Sequence, residues 1–147
     1  MSTNALRPIL AAEDDEGDAM LLRLAFRRAE IAHPLIVVHD GQEAIDYLAS
    51  KPPYADRVIY PLPALLLLDL NMPRLNGFEV LAWRSGRAEL CDLPVVVFSS
   101  LSHKTDMDKA RSLGAREYIV KPHGFTQLTK LMHELCARWL PVVRSCL

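Results

Sequence analysis

The stretch Leu65–Gly77, LLLLDLNMPRLNG, decides the fold expected for this chain. Its four consecutive leucines do not alternate with polar residues, a pattern typical of a strand covered on both faces in a parallel sheet. The run ends abruptly on Asp69, and a proline and a glycine follow shortly after. Because a carboxylate resists transfer out of water, a buried strand does not end on a bare charge without a reason. We therefore treat Asp69 as a candidate functional group.

Four other short apolar runs resemble the leucine run, and amphipathic helical patterns separate them. The five predicted strands are Pro8–Ala12, Leu35–His39, Ala64–Asp69, Val95–Ser100 and Glu117–Val120. Strand and helix therefore alternate along the chain, which predicts right-handed crossover connections. The fold class that follows is α/β, a doubly wound five-stranded parallel sheet with helices on both faces.

The helical patterns also predict residue positions around the sheet. The residues at helical spacing are Leu21, Leu24, Ala25 and Arg28 in the first helix, Phe78, Leu81 and Ala82 in the third, and Leu128, Leu131, Leu135 and Trp139 in the last. Asp40 is the predicted N-cap of the second helix, with Glu43 as its capping-box partner. The next connection, Ser50–Pro63, carries four prolines and is long for a link between a helix and a strand. Internal flexibility and a contact role both explain it.

Length, composition and charge narrow the class of protein. A chain of 147 residues that is 50% hydrophobic and 24% charged suits one domain. We expect a single domain over residues 1–147 with a folded core of about 7–140. The net charge of -1 gives no basic field for nucleic acid. No apolar run is long enough to cross a membrane and the first residues do not form a signal peptide, so we expect a cytoplasmic location.

Polar residues stand at the carboxyl ends of four predicted strands, the edge at which open parallel sheets bind ligands. They are Glu13, Asp14 and Asp15 after the first strand, Asp69 at the end of the third, Ser99 and Ser100 after the fourth, and Lys121 after the fifth. Taken singly, each has an ordinary structural explanation, such as a helix cap or a surface charge. Their shared placement on one edge is what predicts a site.

The chemistry of that site follows from its charges. Carboxylates that crowd together need a cation or protonation at neutral pH. Hard oxygen ligands without His or Cys suit Mg²⁺, and an aspartate can attack phosphorus to form an acyl phosphate. Lys121 and the metal would offset charge on a transferring phosphoryl group, to which Ser99 could donate a hydrogen bond.

At these residues the chain resembles the response-regulator receiver domain, the CheY-like family of two-component signalling. The motifs that carry the resemblance are Glu13-Asp14, the run Asp69-Leu70-Asn71-Met72-Pro73 with Gly77, Ser99, and Lys121-Pro122. The resemblance covers the chain from about Ile9 to about Trp139 and implies the strand order 2-1-3-4-5. The second strand, the proline-bearing loop and the end of the last helix look most like the phytochrome-associated subgroup of single-domain receivers.

The resemblance implies a role for each residue of the site. Asp69 is the phosphoacceptor, and Ser99 and Lys121 contact the phosphoryl group. The implied Mg²⁺ ligands are Glu13, Asp14, Asp69 and the backbone carbonyl of Asn71. Tyr118 is the aromatic switch residue that changes rotamer together with Ser99. The family often has a cis bond before the proline of its Lys-Pro pair, so the resemblance predicts a cis Lys121–Pro122 bond.

The function implied is a phosphorylation-dependent switch and not an enzyme. A sensor histidine kinase, of phytochrome type by the subgroup resemblance, donates the phosphoryl group, and an unidentified protein partner reads the result. Nucleic acid and membranes are not expected partners. The sequence after the last helix is short, so we expect no attached output domain.

Three other interpretations compete with the switch. A haloacid-dehalogenase-type phosphatase needs a second Asp two residues after its nucleophile, where this chain has Asn71. A flavodoxin-like cofactor binder needs a hydroxyl-rich phosphate loop after the first strand, where this chain has acids. A receiver that serves only for dimerisation has no need of the full set of site residues. A homodimer remains open, because the apolar stripe of the last helix suits either core packing or an interface.

Overall fold

The computed structural model describes residues 6–140, which form a five-stranded parallel sheet of order β2-β1-β3-β4-β5. The strands are β1 (Ile9–Ala12), β2 (Leu35–Val38), β3 (Leu65–Leu68), β4 (Val95–Ser99) and β5 (Glu117–Val120). The helices are α1 (Glu16–Arg28), α2 (Gly41–Leu48), α3 (Gly77–Ser85), α4 (Lys104–Ser112) and α5 (Phe125–Trp139), with a 3-10 turn at Ala88–Leu90. The predicted fold class and strand order are confirmed.

The central strand β3 serves two separate cores. Leu65 and Leu67 pack on one face of the sheet with residues of α1 and α5. Leu66 and Leu68 pack on the other face with residues of α2, α3 and α4. All four are at most 2% exposed. An uninterrupted apolar run is therefore required here, because alternate residues feed opposite faces and both faces are covered.

In α1, the residues that pack against the sheet are only partly those identified by helical spacing. The buried residues of α1 are Ala19, Leu22, Ala25 and Phe26. Ala25 is thus confirmed, whereas Leu21 and Leu24 are 44% and 39% exposed. Apolar residues surround much of α1, so two faces compete, and the face with small alanines and an aromatic side chain packs closely against the sheet.

The other two stripes are partly correct. In α3, Leu81 is buried, but Phe78 is only half-buried and Ala82 is exposed. The additional buried residues of this helix are Gly77, Val80 and Arg84. In α5, Leu128 and Leu135 are buried as predicted, while Leu131 and Trp139 are half-buried. Met132 and Cys136 fill the rest of that face.

Local backbone features show one confirmed prediction and two corrections. Asp40 caps α2 as predicted, since its side chain accepts from the Glu43 amide at 2.7 Å. Glu43 does not complete a capping box, because its carboxylate accepts from the amide of His39 at 2.8 Å. The predicted cis bond before Pro122 is wrong: within residues 6–140 the cis bond is Pro52–Pro53. A trans bond before Pro122 is the ordinary preference of such peptides.

The proline-bearing connection Ser50–Pro63 is anchored at its base. Arg57 donates to the carbonyls of Tyr47, Leu48 and Tyr60 at 3.0, 2.8 and 2.9 Å. The rings of Tyr47, Tyr54 and Tyr60 pack on one another with centroids 5.0 to 6.0 Å apart. Val58 and Ile59 protrude at the tip, 91% and 64% exposed. These contacts favour an ordered loop, and a contact role for its tip remains a prediction.

No helix within residues 6–140 has both the length and the apolar character needed to span a membrane.

Candidate functional site

The carboxyl edge of the sheet brings the predicted side chains together. The three central side chains belong to Glu13, Asp69 and Lys121. Each follows directly after a strand, and its backbone amide still donates a hydrogen bond to the neighbouring strand. The amide of Glu13 donates to Val38 at 2.9 Å, that of Asp69 to Ala12 at 3.2 Å, and that of Lys121 to Ser99 at 2.8 Å. The side chains therefore start from a rigid backbone, which limits how far they can move.

Lys121 is the centre of the site. Its ammonium donates to Glu13 Oε1 at 2.6 Å, to Asp69 Oδ2 at 2.9 Å and to Asp18 Oδ2 at 2.9 Å. Asp18 was not predicted as a site residue. It lies in the first turn of α1, where an acid has the ordinary explanation of favouring the helix dipole. Its distance in sequence from any strand end left no signal that it reaches the site.

Burial gives this cluster unusual electrostatics. Glu13 is 4% exposed and Asp69 is 6% exposed. Burial raises the pKa of Glu13 to about 7, although the hydrogen bond and charge of Lys121 act in the opposite direction. Burial on its own would lower the pKa of Lys121, but hydrogen bonds to Glu13, Asp18 and Asp69 raise it above its ordinary value. A bound proton or an additional cation thus stabilises this group of carboxylates.

The carboxylates fit a divalent cation that prefers oxygen. Oxygen atoms of Glu13, Asp14 and Asp69 lie within 4.8 Å of one another, and Asp14 is exposed. An exposed ligand allows a metal to retain water, which suits a site that must also accept a substrate oxygen. The amide of Asn71 donates to Asp69 Oδ1 at 3.2 Å, so this peptide lies beside the cluster. A role for the Asn71 carbonyl as a ligand remains a prediction.

Ser99 and Tyr118 are linked through one backbone residue. The Ser99 hydroxyl, fully buried, accepts from the amide of Leu101 at 3.2 Å. The Tyr118 hydroxyl donates to the carbonyl of Leu101 at 2.7 Å, and burial raises the pKa of Tyr118. A change at Ser99 can therefore reach Tyr118 through a single residue, Leu101.

The glycine after the acceptor strand allows close packing beneath the site. The amide of Gly77 donates to Leu70 at 3.0 Å. A Cβ built on Gly77 would lie 2.5 Å from the carbonyl oxygen of Asp69, nearer than real Cβ atoms approach. The start of α3 thus rests directly on the backbone that carries Asp69.

The strand order and the acidic edge with its lysine define the receiver class of signalling proteins. The family model for the response regulator receiver domain matches residues 9–133. The chain belongs to this family, and it is therefore a response regulator receiver of two-component signal transduction.

Several single-domain relatives agree with this assignment. Response regulator Rcp1 from Synechocystis sp. is 31% identical over 96% of this chain and 94% of its own length. The phosphorylated cyanobacterial phytochrome response regulator RcpA is 32% identical, with a TM-score of 0.84 over 94% of this chain and 100% of that one. RPA3017, a response regulator in red light signalling of R. palustris, is 34% identical, with a TM-score of 0.87 over the same shares.

A solved structure of Rcp1 contains Mn²⁺. It is 31% identical to this chain, with a TM-score of 0.81 over 94% of this chain and 97% of that one. Together with the acidic cluster of Glu13, Asp14 and Asp69, this relative supports a divalent cation as the cofactor of the family.

Proposed function

We propose that Asp69 accepts a phosphoryl group from a sensor histidine kinase, with Mg²⁺ in the cluster of Glu13, Asp14 and Asp69. The observation that carries the proposal is the buried contact of Lys121 with Glu13 and Asp69. It places one fixed positive charge beside a nearly buried strand-end carboxylate. Such preorganised charge is what phosphoryl transfer needs from a protein.

The transfer step is a displacement at phosphorus. An Asp69 oxygen forms the new P–O bond while the P–N bond to the kinase histidine breaks, and the electron pair of that bond stays on the imidazole. Mg²⁺ would offset negative charge on the phosphoryl oxygens. Lys121 exchanges a carboxylate oxygen for a phosphoryl oxygen, and the Ser99 hydroxyl turns from Leu101 to donate to the same group.

The readout follows from the new position of Ser99. Once its hydroxyl leaves Leu101, the contact of Tyr118 with that residue is free to rearrange. Two exposed apolar residues lie at the end of β5 and the start of α5, Val120 at 39% and Phe125 at 36% exposure. We propose that the surface of α4, β5 and α5 binds the downstream protein partner.

Three further expectations stay predictions. They are homodimerisation, a single domain covering 1–147 with a core of about 7–140, and a cytoplasmic location.

We also propose a face for the kinase. Met20, Leu21 and Leu24 are exposed on α1, which begins directly at the acidic edge. An apolar patch beside the phosphoacceptor suits a protein that must present its phosphohistidine to Asp69. A phytochrome-type kinase is the proposed donor, because RcpA and RPA3017 are described as phytochrome and red-light response regulators.

The test is phosphorylation by acetyl phosphate in the presence of Mg²⁺. Wild-type protein should acquire one phosphoryl group by mass spectrometry and a shifted band on a Phos-tag gel, while Asp69→Asn should acquire none. Asp92→Asn, an exposed aspartate outside the site, is the matched control and should label like the wild type. Stable labelling of Asp69→Asn at the wild-type level would exclude Asp69 as the acceptor.

Two further measurements test the switch and its limits. Size-exclusion chromatography with light scattering, with and without beryllofluoride and Mg²⁺, should show whether the activated form self-associates. We propose that chemistry is confined to the chain's own phosphorylation and dephosphorylation, so steady turnover of p-nitrophenyl phosphate would contradict this part of the proposal.

A further inference from the structure

Arg84 is an unusual side chain for the interior of a small sheet protein. It lies in the last turn of α3 and is only 7% exposed. Its Nη2 donates to the carbonyl of Leu93, but its buried Nε has no hydrogen-bond partner among the residues that the structure describes. Among residues 6–140 no carboxylate lies within salt-bridge distance of it. A buried cation without a counter-ion is strongly unfavourable, so its place needs an explanation.

Arg84 lines a cavity of about 290 Å³, a volume suited to a small ligand. The walls of the cavity also include Ser85, Arg87, Cys91, Ser112 and Gly114. A Cβ built on Gly114 would lie 3.1 Å from Arg84 Nη1, so the guanidinium lies directly against that wall. Arg84 and Leu93 precede β4 in the chain and Gly114 precedes β5, so the cavity lies at the end of the sheet opposite to Asp69.

The charges around this cavity are mostly positive. Arg116 is close enough to Arg84 for its charge to add to burial in lowering the pKa of Arg84. Within residues 6–140, the one hydrogen bond that the Arg116 side chain donates is to the carbonyl of Cys91, at 3.4 Å. Arg87 is paired with Glu89 at 3.7 Å. The carboxyl ends of α3 and α4 each contribute about half a negative charge. The two positive charges of Arg84 and Arg116 therefore exceed the negative charge of about one that the two helix ends supply together.

We propose that this cavity is an anion-binding site for a small phosphate monoester, with Arg84 as its buried anchor and Arg116 at its entrance. A guanidinium fork matches the geometry of phosphate oxygens. A dianion offsets two guanidiniums, whereas a monocarboxylate offsets only one. The site is independent of the phosphoacceptor, because it uses none of its residues and lies at the opposite end of the sheet.

The rival explanation is that Arg84 only ties α3 to the Leu93 carbonyl. NMR of arginine Nε–H groups separates the two, because the orphan donor of Arg84 is itself the reporter. Inorganic phosphate is titrated at constant ionic strength. Divalent cations are left out, so that phosphate does not bind through a metal at the acidic edge. Acetate is titrated in parallel. The site predicts saturable shifts of the Arg84 Nε–H and the Gly114 amide, with acetate about tenfold weaker. Non-saturating shifts, or equal responses to both anions, would overturn the proposal.

Variants test the anchor directly. Arg84→Met should abolish the saturable shift of the Gly114 amide. Arg116→Gln, at an exposed position, should weaken phosphate binding about threefold or more. Arg57→Met is the matched control: Arg57 also donates to backbone carbonyls, and its loss should leave the phosphate titration unchanged. Wild-type phosphate affinity in either Arg84→Met or Arg116→Gln would overturn the proposal.

Discussion

Replacing Lys121 by methionine tests the electrostatic logic of the acidic edge. Two of its three carboxylate partners are buried, with side chains 5% exposed for Glu13 and 7% for Asp69. The third, Asp18, is 44% exposed and adds little. Removing one partner from a buried ion pair costs about 3–5 kcal/mol, so we expect Lys121→Met to lower the free energy of unfolding by about that amount without metal.

A divalent cation should recover part of this loss. Mg²⁺ that binds the folded cluster stabilises it by mass action, and in the wild type it competes with the lysine charge. Urea unfolding with EDTA and with saturating Mg²⁺ should show that the metal stabilises Lys121→Met more than the wild type. Lys104→Met is the matched control, because the Lys104–Asp108 pair has the same 2.9 Å separation but is exposed on the surface. It should cost less than about 1 kcal/mol and show no metal effect.

The contribution of Glu13 to the free energy of unfolding should decrease as the pH rises. The pKa of Glu13 is raised from 4.5 to about 7 in the folded state, so the folded state holds the proton more tightly than the unfolded one. Stability from this group is therefore present below about pH 4.5 and is lost as the pH rises towards 7, by about 3 kcal/mol. Lys121 lowers the pKa of Glu13, so this pKa should be higher still in the Lys121→Met variant. The free energy of unfolding of that variant should therefore continue to fall above pH 7. The reasoning is refuted if Lys121→Met lowers the free energy of unfolding no more than Lys104→Met does. It is also refuted if Mg²⁺ stabilises Lys121→Met and the wild type equally.

Three further predictions concern other parts of the molecule. Leu21→Glu should reduce phosphotransfer from a phytochrome-type kinase about tenfold or more while labelling by acetyl phosphate stays unchanged, and loss of both would point to misfolding instead. Burial raises the pKa of Cys136 to about 12, so iodoacetamide at neutral pH should modify exposed Cys91 and spare Cys136, as peptide mapping by mass spectrometry would show. Gly41→Ala should destabilise the fold by several kcal/mol in urea unfolding, since its Cβ would lie 2.1 Å from the carbonyl oxygen of Leu75; a change below about 1 kcal/mol would contradict this.

The edge of the sheet was predictable because a single rule places its residues. Polar groups that follow parallel strands meet at the carboxyl edge, and Glu13, Asp69, Ser99 and Lys121 do meet there. The rule did not predict Asp18, because this residue lies within α1 and its side chain reaches the edge of the sheet from there. Its position depends on how α1 is rotated about its axis, and the sequence leaves that rotation open.

The rotation of α1 also explains why Leu21 and Leu24, which lie at helical spacing, are exposed. When apolar residues cover much of a helix, spacing alone does not choose which face is buried, and packing against the sheet decides. Arg84 shows a related limit, because an arginine near a helix end has an ordinary explanation as a partner for the dipole. Only the tertiary structure shows that Arg84 is buried, that its Nε lacks a hydrogen-bond partner within residues 6–140, and that a cavity adjoins it.

The two cores served by β3 make this strand sensitive to the insertion or deletion of a single residue. Inserting or deleting one residue within Leu65–Leu68 would exchange the odd and even positions, so each leucine would point to the wrong face and Asp69 would turn away from Lys121. The same change at the protruding tip of Ser50–Pro63 would alter neither face. Changes of chain length can thus accumulate in that loop, while the strand that follows it must keep its count unchanged.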